Sequence, residues 1–570
     1  MKSMMKLGFL CSILLVILLT ACGSSGTDSA KTEEKKEPNT TVTDLNQWYE
    51  TSETSAALLV NAVLSEKRAY KEAGEIYIPV SVLSVLDGRF YWNADEEQMI
   101  ISDAESLCYF WPDVTHHREG EEMVEDTASV LILRDSEAYV SLETVKSRSD
   151  LSAEYYEAPD RVVIFGGNET VKQIKTEGEL ILRTGRTDQD EVVITSSELE
   201  LFMDSTSVEQ WPLAVSREGW YGYLETTDGM TFSETEVRDL YEINASRDRK
   251  AYSHILLSDT VNMVWHQVFS ETDGSELKEA LSGTVGINVV SPTWLSVTDT
   301  EGGISSLADA SYVEYAHGEG IEVWALVNDF TKGVPGIEVL SDTDSRTALI
   351  SALISEVARV GADGINVDFE YITEESAPHY LQFLRELSIA CRREGLVLSV
   401  CDYNPVYGDT FYELETQSEL CDYVIIMAYD EHTGNSSEAG SVSSLTYVET
   451  GVTTALSLVP AEQLIVGLPF YTRWFTTTGS DPEEIISSEA CGMDSARELG
   501  DSNGAVWTWD ETLGQYYGEY TNEDGSLCRI WLEDTESFSR KLELVRSFHA
   551  AGTAAWKLGL ENAAVWELFR

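Results

Sequence analysis

From about Tyr252 to the C-terminus, eight short apolar runs alternate with amphipathic stretches, and this alternation restricts the chain more than any other feature. The runs are Val261–Val268, Gly286–Ser291, Glu322–Val327, Gly364–Phe369, Leu396–Cys401, Tyr423–Met427, Leu464–Leu468 and Gly552–Trp556. Segments of helical period lie between them, for example 380–394, and 346–360 with Leu349, Leu353 and Val357 on one face. Repeated strand–helix units predict parallel strands closed into a (β/α)8 TIM barrel, with its chemistry at the C-terminal strand ends. The interval 472–530 is too long for an ordinary connection between the seventh and eighth strands. Its Trp507, Trp509, Tyr516, Tyr517 and Tyr520 predict an insertion that packs partly on itself and partly walls a cleft.

The chain reads as multidomain, with small β-rich modules ahead of a barrel spanning 250–570. Residues 47–168 carry short alternating runs such as Glu75-Ile76-Tyr77-Ile78-Pro79-Val80 and Arg161-Val162-Val163-Ile164-Phe165. Residues 169–245 hold further short strands that end in Gly219-Trp220-Tyr221-Gly222-Tyr223-Leu224. Residues 22–46 are mostly Ser, Thr, Lys and Glu, too polar to bury a core, and are expected to form a disordered tether. At the start, Lys2 and Lys6 precede an apolar run from Leu7 to Leu19 and then Thr20-Ala21-Cys22-Gly23, the order of a secretory signal over 1–21. That run is short for a membrane span.

The formal charge of −61, from 99 acidic and 38 basic residues, opposes any polyanion, so nucleic acid is excluded as a partner. A neutral or cationic substrate is favoured. With Cys11 and Cys22 set aside, Cys108, Cys391, Cys401, Cys421, Cys491 and Cys528 show no CxxC spacing. Cys491 with Cys528 is the first disulfide to consider, and buried free thiols are the equal alternative. The 8 histidines are scattered and His116-His117 has no partners at ligand spacing, so no metal and no cofactor is expected.

The segment Asp363-Gly364-Ile365-Asn366-Val367-Asp368-Phe369-Glu370 carries the chemistry. Side chains alternate along a strand, so Asn366, Asp368 and Glu370 share one face, and Ile365, Val367 and Phe369 share the other. Burying two carboxylates and an amide on one strand is costly unless they are paired or functional.

The segment resembles the DGxDxDxE signature of glycoside hydrolase family 18, the chitinase-like barrels, and the likeness extends over about 320 residues of the chain. Ser291-Pro292-Thr293-Trp294, Met427-Ala428-Tyr429-Asp430 and Trp556 match at strand ends, and Val-Trp-Ala-Leu-Val-Asn and Tyr-Asp-Glu-His are similar to the spore-cortex and wall-associated subgroup. The resemblance implies a glycosidase acting beside N-acetylglucosamine in peptidoglycan or chitin-type glycans. Glu370 is then the proton donor, Asp368 orients the acetamido group, and Tyr429 hydrogen-bonds it; the charge of Asp368 is expected to raise the pKa of Glu370. Asn366, Asp363, Asp430, Trp556, Met427 and Trp294 are expected to contact substrate, and Glu533 to approach it. Asn366 stands where the family usually has an aspartate, which predicts a working enzyme with a shifted pH profile. A surface lectin that binds such glycans without cleaving them is the alternative.

Three further likenesses concern the rest of the chain. The segment 77–102 resembles the "copper amine oxidase N-terminal-like" module, whose name implies no copper, and 169–245 is similar to SH3-like modules, which often bind wall polymers. Leu19-Thr20-Ala21-Cys22 resembles a bacterial lipobox, which implies lipidation at Cys22 and a position on the outer face of the cell membrane.

Overall fold

The computed structural model describes residues 36–167, 170–175, 178–204, 211–226, 230–240, 252–408, 411–479 and 485–569. The expected signal segment 1–21, Cys22 and the expected tether as far as residue 35 lie outside the described residues.

All eight expected barrel strands form. In chain order they are β1 (Val261–His266), β2 (Val289–Pro292), β3 (Glu322–Asn328), β4 (Gly364–Asp368), β5 (Val397–Tyr403), β6 (Tyr423–Met427) and β7 (Leu464–Pro469). The insertion strands follow as β8 (Tyr471–Thr478), β9 (Ile485–Gly492), β10 (Val506–Asp510), β11 (Gln515–Thr521) and β12 (Leu527–Leu532), before the last barrel strand, β13 (Gly552–Trp556). Parallel pairing runs β2-β1-β13-β7-β6-β5-β4-β3, and β2 pairs with β3 to close the ring.

The alternation in β4 sorts its residues as the sequence predicts. Ile365, Val367 and Phe369 join the apolar layer between barrel and helices, where Phe369 stacks on Phe383 at 5.6 Å. The flanking helices α1 (Thr343–Val360) and α2 (Ala377–Glu394) each stop at a glycine in the left-handed region, Gly361 at φ 78° and Gly395 at φ 71°. A residue with a Cβ would strain both turns into β4 and β5.

The insertion is a self-packed subdomain. Its antiparallel sheet has the order β9-β8-β12-β11-β10, and the helix α3 (Met493–Ser502) covers one face. Trp507, Tyr520, Cys528 and Ile530 pack together beneath that helix, and Trp509 packs edge-on against Tyr516 at 4.9 Å. These aromatics therefore serve the subdomain, and only its first strand reaches the pocket. Cys491 and Cys528 are both free. They flank β8 on opposite sides, with Cys491 opposite Thr472 and Cys528 opposite Thr476. Two strand spacings of about 4.8 Å already exceed the reach of a disulfide.

The N-terminal units are more closely joined than the sequence implied. Tyr49, Leu59, Val163 and Phe165 share one core with Leu182, Phe202, Val215 and Tyr221, across the expected boundary near residue 168. The last part of the expected tether is ordered: Val42 bridges to Val192 and the Asn39 N–H donates to the Asp188 carbonyl at 2.8 Å. The Trp-Tyr pair of the second unit is also occupied internally. Trp48 stacks on Tyr221 at 5.1 Å, and Arg161 lies over Trp220 at 4.4 Å.

The first unit docks on the barrel through a five-stranded meander. Tyr91 contacts His379 at 2.6 Å, and Gln382 donates to Ser102 at 3.2 Å. The Thr343 N–H donates to Glu96 at 2.7 Å. These contacts hold the back of α1 and α2, the helices on either side of β4.

Candidate active site

The C-terminal strand ends enclose a cavity of about 840 Å³. Its lining includes Asp368 at the end of β4 and Glu370 just past it, Met427 at the end of β6 with Tyr429 and Asp430 beyond it, and Trp556 at the end of β13. Trp294 borders it, though only 1 % exposed, with its ring held edge-on by Tyr312 at 4.9 Å. Most of the residues read from the sequence are thus brought to one cavity.

Glu370 sits just past the end of β4. The Asp329 carboxylate fixes that turn by accepting the N–H groups of Glu370 and Tyr371, each at 3.0 Å. Burial pushes the pKa of Glu370 up, and the nearby Asp329 and Asp430 carboxylates add to the rise. The Tyr403 hydroxyl works in the other direction, donating to Glu370 Oε2 at 3.0 Å. The expected cause of the rise, the charge of Asp368, is displaced by these groups, because the coupling falls on Asp368 itself. Asp368 is 6 % exposed, and burial, then Glu370, hold its pKa well above the usual carboxyl range. Its Oδ1 is buried with no hydrogen-bond partner among the described residues. A buried acceptor left open on a cavity wall suits a donor carried by a ligand.

Tyr429 is 9 % exposed, with Trp265 at 6.4 Å and Tyr471 at 6.2 Å set edge-on to its ring. Trp556 packs edge-on against Trp265 at 5.9 Å and forms the apolar floor. Asp430 has a φ of 59°, an uncommon value for an aspartate, and accepts the Tyr471 hydroxyl at 2.5 Å.

Three expected contacts lie elsewhere. Asp363 precedes β4 at the opposite end of the barrel, where it meets His317 Nε2 and accepts the Val323 N–H, both at 2.8 Å. Five residues of strand, about 16 Å, separate it from the pocket end. Asn366 points inward one layer below Asp368 and is fully buried. It accepts from Trp265 Nε1 at 3.1 Å and from the Ser291 hydroxyl at 3.2 Å, and donates to the Ser399 hydroxyl at 3.0 Å. The amide therefore ties four strands together beneath the pocket without lining it. Glu533 is fully buried against Lys541 at 2.5 Å and Ser537 at 2.7 Å.

Asp329, Tyr403, Tyr471 and Trp265 were not singled out from the sequence. Tyr403 was legible, because it continues the inward parity of Ser399 and Cys401 at the end of β5. Asp329 lies in the loop just past β3, and Tyr471 opens the insertion strand β8, so neither falls on a barrel strand read from the sequence.

Two substitutions follow directly from this geometry. Tyr403→Phe removes a hydrogen bond that favours the ionised acid, so the alkaline limb of kcat/KM moves to higher pH. A pH–rate profile of the variant checks this. Asn366→Asp replaces the Nδ2 donor with a buried carboxyl whose folded-state pKa is raised. Such a group binds its proton more tightly when folded, so its penalty is absent below the unfolded value of about 3.9 and grows as pH rises. The expected loss near neutral pH is about 1–3 kcal/mol, read from denaturation midpoints at about pH 5 and pH 8.

Comparison with known proteins agrees with this construction. Residues 335–561 match the family model described as "Glycosyl hydrolases family 18". The cortical fragment-lytic enzyme of Bacillus subtilis (strain 168) is 28% identical over 240 residues, 40% of this chain and 54% of its own length. The chain thus spans about half of that relative. The di-N-acetylchitobiase of Mus musculus is 22% identical over 275 residues, 44% of this chain and 73% of that protein. For the fold alone, the crystal structure of a C-terminal domain from Desulfitobacterium hafniense DCB-2, described as part of a chitinase, superposes with a TM-score of 0.50 at 23% identity, covering 55% of this chain and 98% of that one. The span that matches the family 18 model runs from before α1 to just past β13 and takes in Asp368 and Glu370.

Proposed function

We propose that the chain is an O-glycosyl hydrolase that cleaves β-1,4 bonds next to N-acetylglucosamine, in peptidoglycan fragments or chitin-type oligosaccharides. The observation that carries the reading is the placement of the half-buried Glu370 carboxyl and the open Oδ1 of Asp368 on the wall of one cavity. Family 18 enzymes use the substrate's own acetamido group as nucleophile. Glu370 donates its proton to the glycosidic oxygen as the bond to the anomeric carbon breaks, and the acetamido oxygen bonds to that carbon. Asp368 takes the acetamido N–H and stabilises the oxazolinium cation, while Tyr429 hydrogen-bonds the acetamido oxygen. Water then attacks the anomeric carbon, the bond from that carbon to the acetamido oxygen breaks and restores the acetamide, and the water's proton returns to Glu370, so configuration is retained. Trp556 supplies an apolar face for the sugar ring.

The amide of Asn366 fits an active enzyme, since it is hydrogen-bonded beneath the pocket and leaves Asp368 free. Release of reducing sugar and of muropeptides from purified peptidoglycan and from N-acetylglucosamine oligomers tests the reading. Binding without release identifies the lectin alternative. Attachment by lipid at Cys22 to the outer face of the cell membrane completes the proposal and rests on the residues before Gly23. The SH3-like unit fits a spacer that joins this anchor to the barrel, because its Trp220 and Tyr221 are occupied by Arg161 and Trp48.

A further inference from the structure

The first insertion strand, β8, begins at the pocket with Tyr471 and continues away from it. Alternation places Arg473 and Phe475 on the same face of the sheet as Tyr471. The register extends this face to Ser488 of β9, opposite Phe475, to Arg529 and Trp531 of β12, and to Tyr517 of β11, opposite Trp531. It is the face turned away from the packed side that carries Cys528 and Ile530.

Three polar atoms on this one face are buried without a hydrogen-bond partner among the described residues: Arg473 Nε, Arg529 Nε and Ser488 Oγ. Neither arginine forms an ion pair with a described residue. Among the described residues Arg529 donates only to Thr477 Oγ1, at 2.7 Å, and Glu519, its cross-strand neighbour, instead accepts from the Tyr517 hydroxyl at 2.5 Å. Unpaired guanidinium groups are conspicuous in a chain with 99 acidic and 38 basic residues. Both arginines remain half-buried, and so do Trp531 and Tyr517, whose rings lie 5.2 Å apart. Two guanidinium groups on one sheet face beside aromatic rings match a sugar unit that bears a carboxylate.

We propose that this face is an extension of the cleft that binds the carboxylate of a muramic-acid-type sugar, on its lactyl group or attached peptide. It would then favour peptidoglycan-type glycans over neutral chitin-type chains. The inference rests on the glycosidase reading and names its substrate class.

The test compares the full chain with Arg529→Gln and with the Arg473→Gln/Arg529→Gln pair on two soluble substrates, a neutral N-acetylglucosamine oligomer and a muropeptide-bearing glycan of equal length. Arg529 is the primary site because Arg473 lies closer to Tyr471. Loss of one charge-assisted contact is expected to raise KM for the anionic glycan about ten-fold or more, with kcat and the neutral oligomer unchanged. High salt should shrink the wild-type preference in the same direction. Equal losses on both substrates, or no change on either, would overturn the proposal. If the wild type cleaves neither substrate, the glycosidase reading fails separately, and calorimetric binding of the muropeptide carries the test. Binding that Arg529→Gln weakens about ten-fold then supports the anion site, and unchanged binding overturns it.

Discussion

Glu370→Gln is expected to lower kcat by about 10²–10⁴-fold on any glycan the wild type cleaves, with KM changed far less. The amide keeps the volume of the acid and can still accept the Tyr403 hydroxyl, so the pocket remains formed and only the transferable proton is lost. Unaltered thermal unfolding of the variant separates this from a folding defect. A loss below ten-fold would mean that another group donates the proton. The pH dependence has a definite sign as well. Burial and the Asp329 and Asp430 carboxylates keep the acid protonated above the ordinary carboxyl range, so activity persists there and falls as pH rises through the raised value.

Lys541→Met is expected to destabilise the barrel by about 3–5 kcal/mol, a large share of any domain's stability. Lys541 lies on the helix α4 (Thr535–Ser547), which packs behind β13, and its ammonium meets Glu533 with both side chains fully buried. Methionine fills similar volume, but it leaves the Glu533 carboxylate without its counter-charge. Gln515 and Ser537, at 3.0 Å and 2.7 Å, still donate to that carboxylate but carry no charge to balance it. The double substitution Lys541→Met/Glu533→Gln removes the orphaned charge and should recover most of the loss. Chemical denaturation of the three proteins gives the comparison, and additive losses in the double variant would mean that the Lys541–Glu533 pair is not the source of the loss.

The barrel was legible in the sequence because each strand is a compact apolar run buried on both faces, and such runs are visible without knowledge of their partners. The second strand shows the usual limit: the apolar pattern begins at Gly286, yet pairing begins at Val289, since Gly286 turns at φ 79° against the backbone of Phe569. Asp368 and Glu370 were legible because carboxylates on the inward parity of a buried strand have few structural explanations. Asp363 and Asn366 belong to the same motif, but distance along the strand decides their roles. One lies at the far end of β4 and the other a layer too deep, and sequence spacing does not separate a pocket residue from one supporting it. Glu533 was misread because its partner, Lys541, lies one helix later and pairs with it only in the folded packing. The shared core of the two N-terminal units was hidden for a similar reason, since Tyr49 and Tyr221 are far apart in the chain.

If the substrate's acetamido group performs the displacement while Glu370 supplies the proton, proton NMR of the first product formed from an N-acetylglucosamine oligomer shows the β-anomer, and the same oligomer stripped of its acetyl groups is not turned over. An α-anomer as the initial product, or comparable turnover of the de-acetylated oligomer, would rule out displacement by the acetamido group.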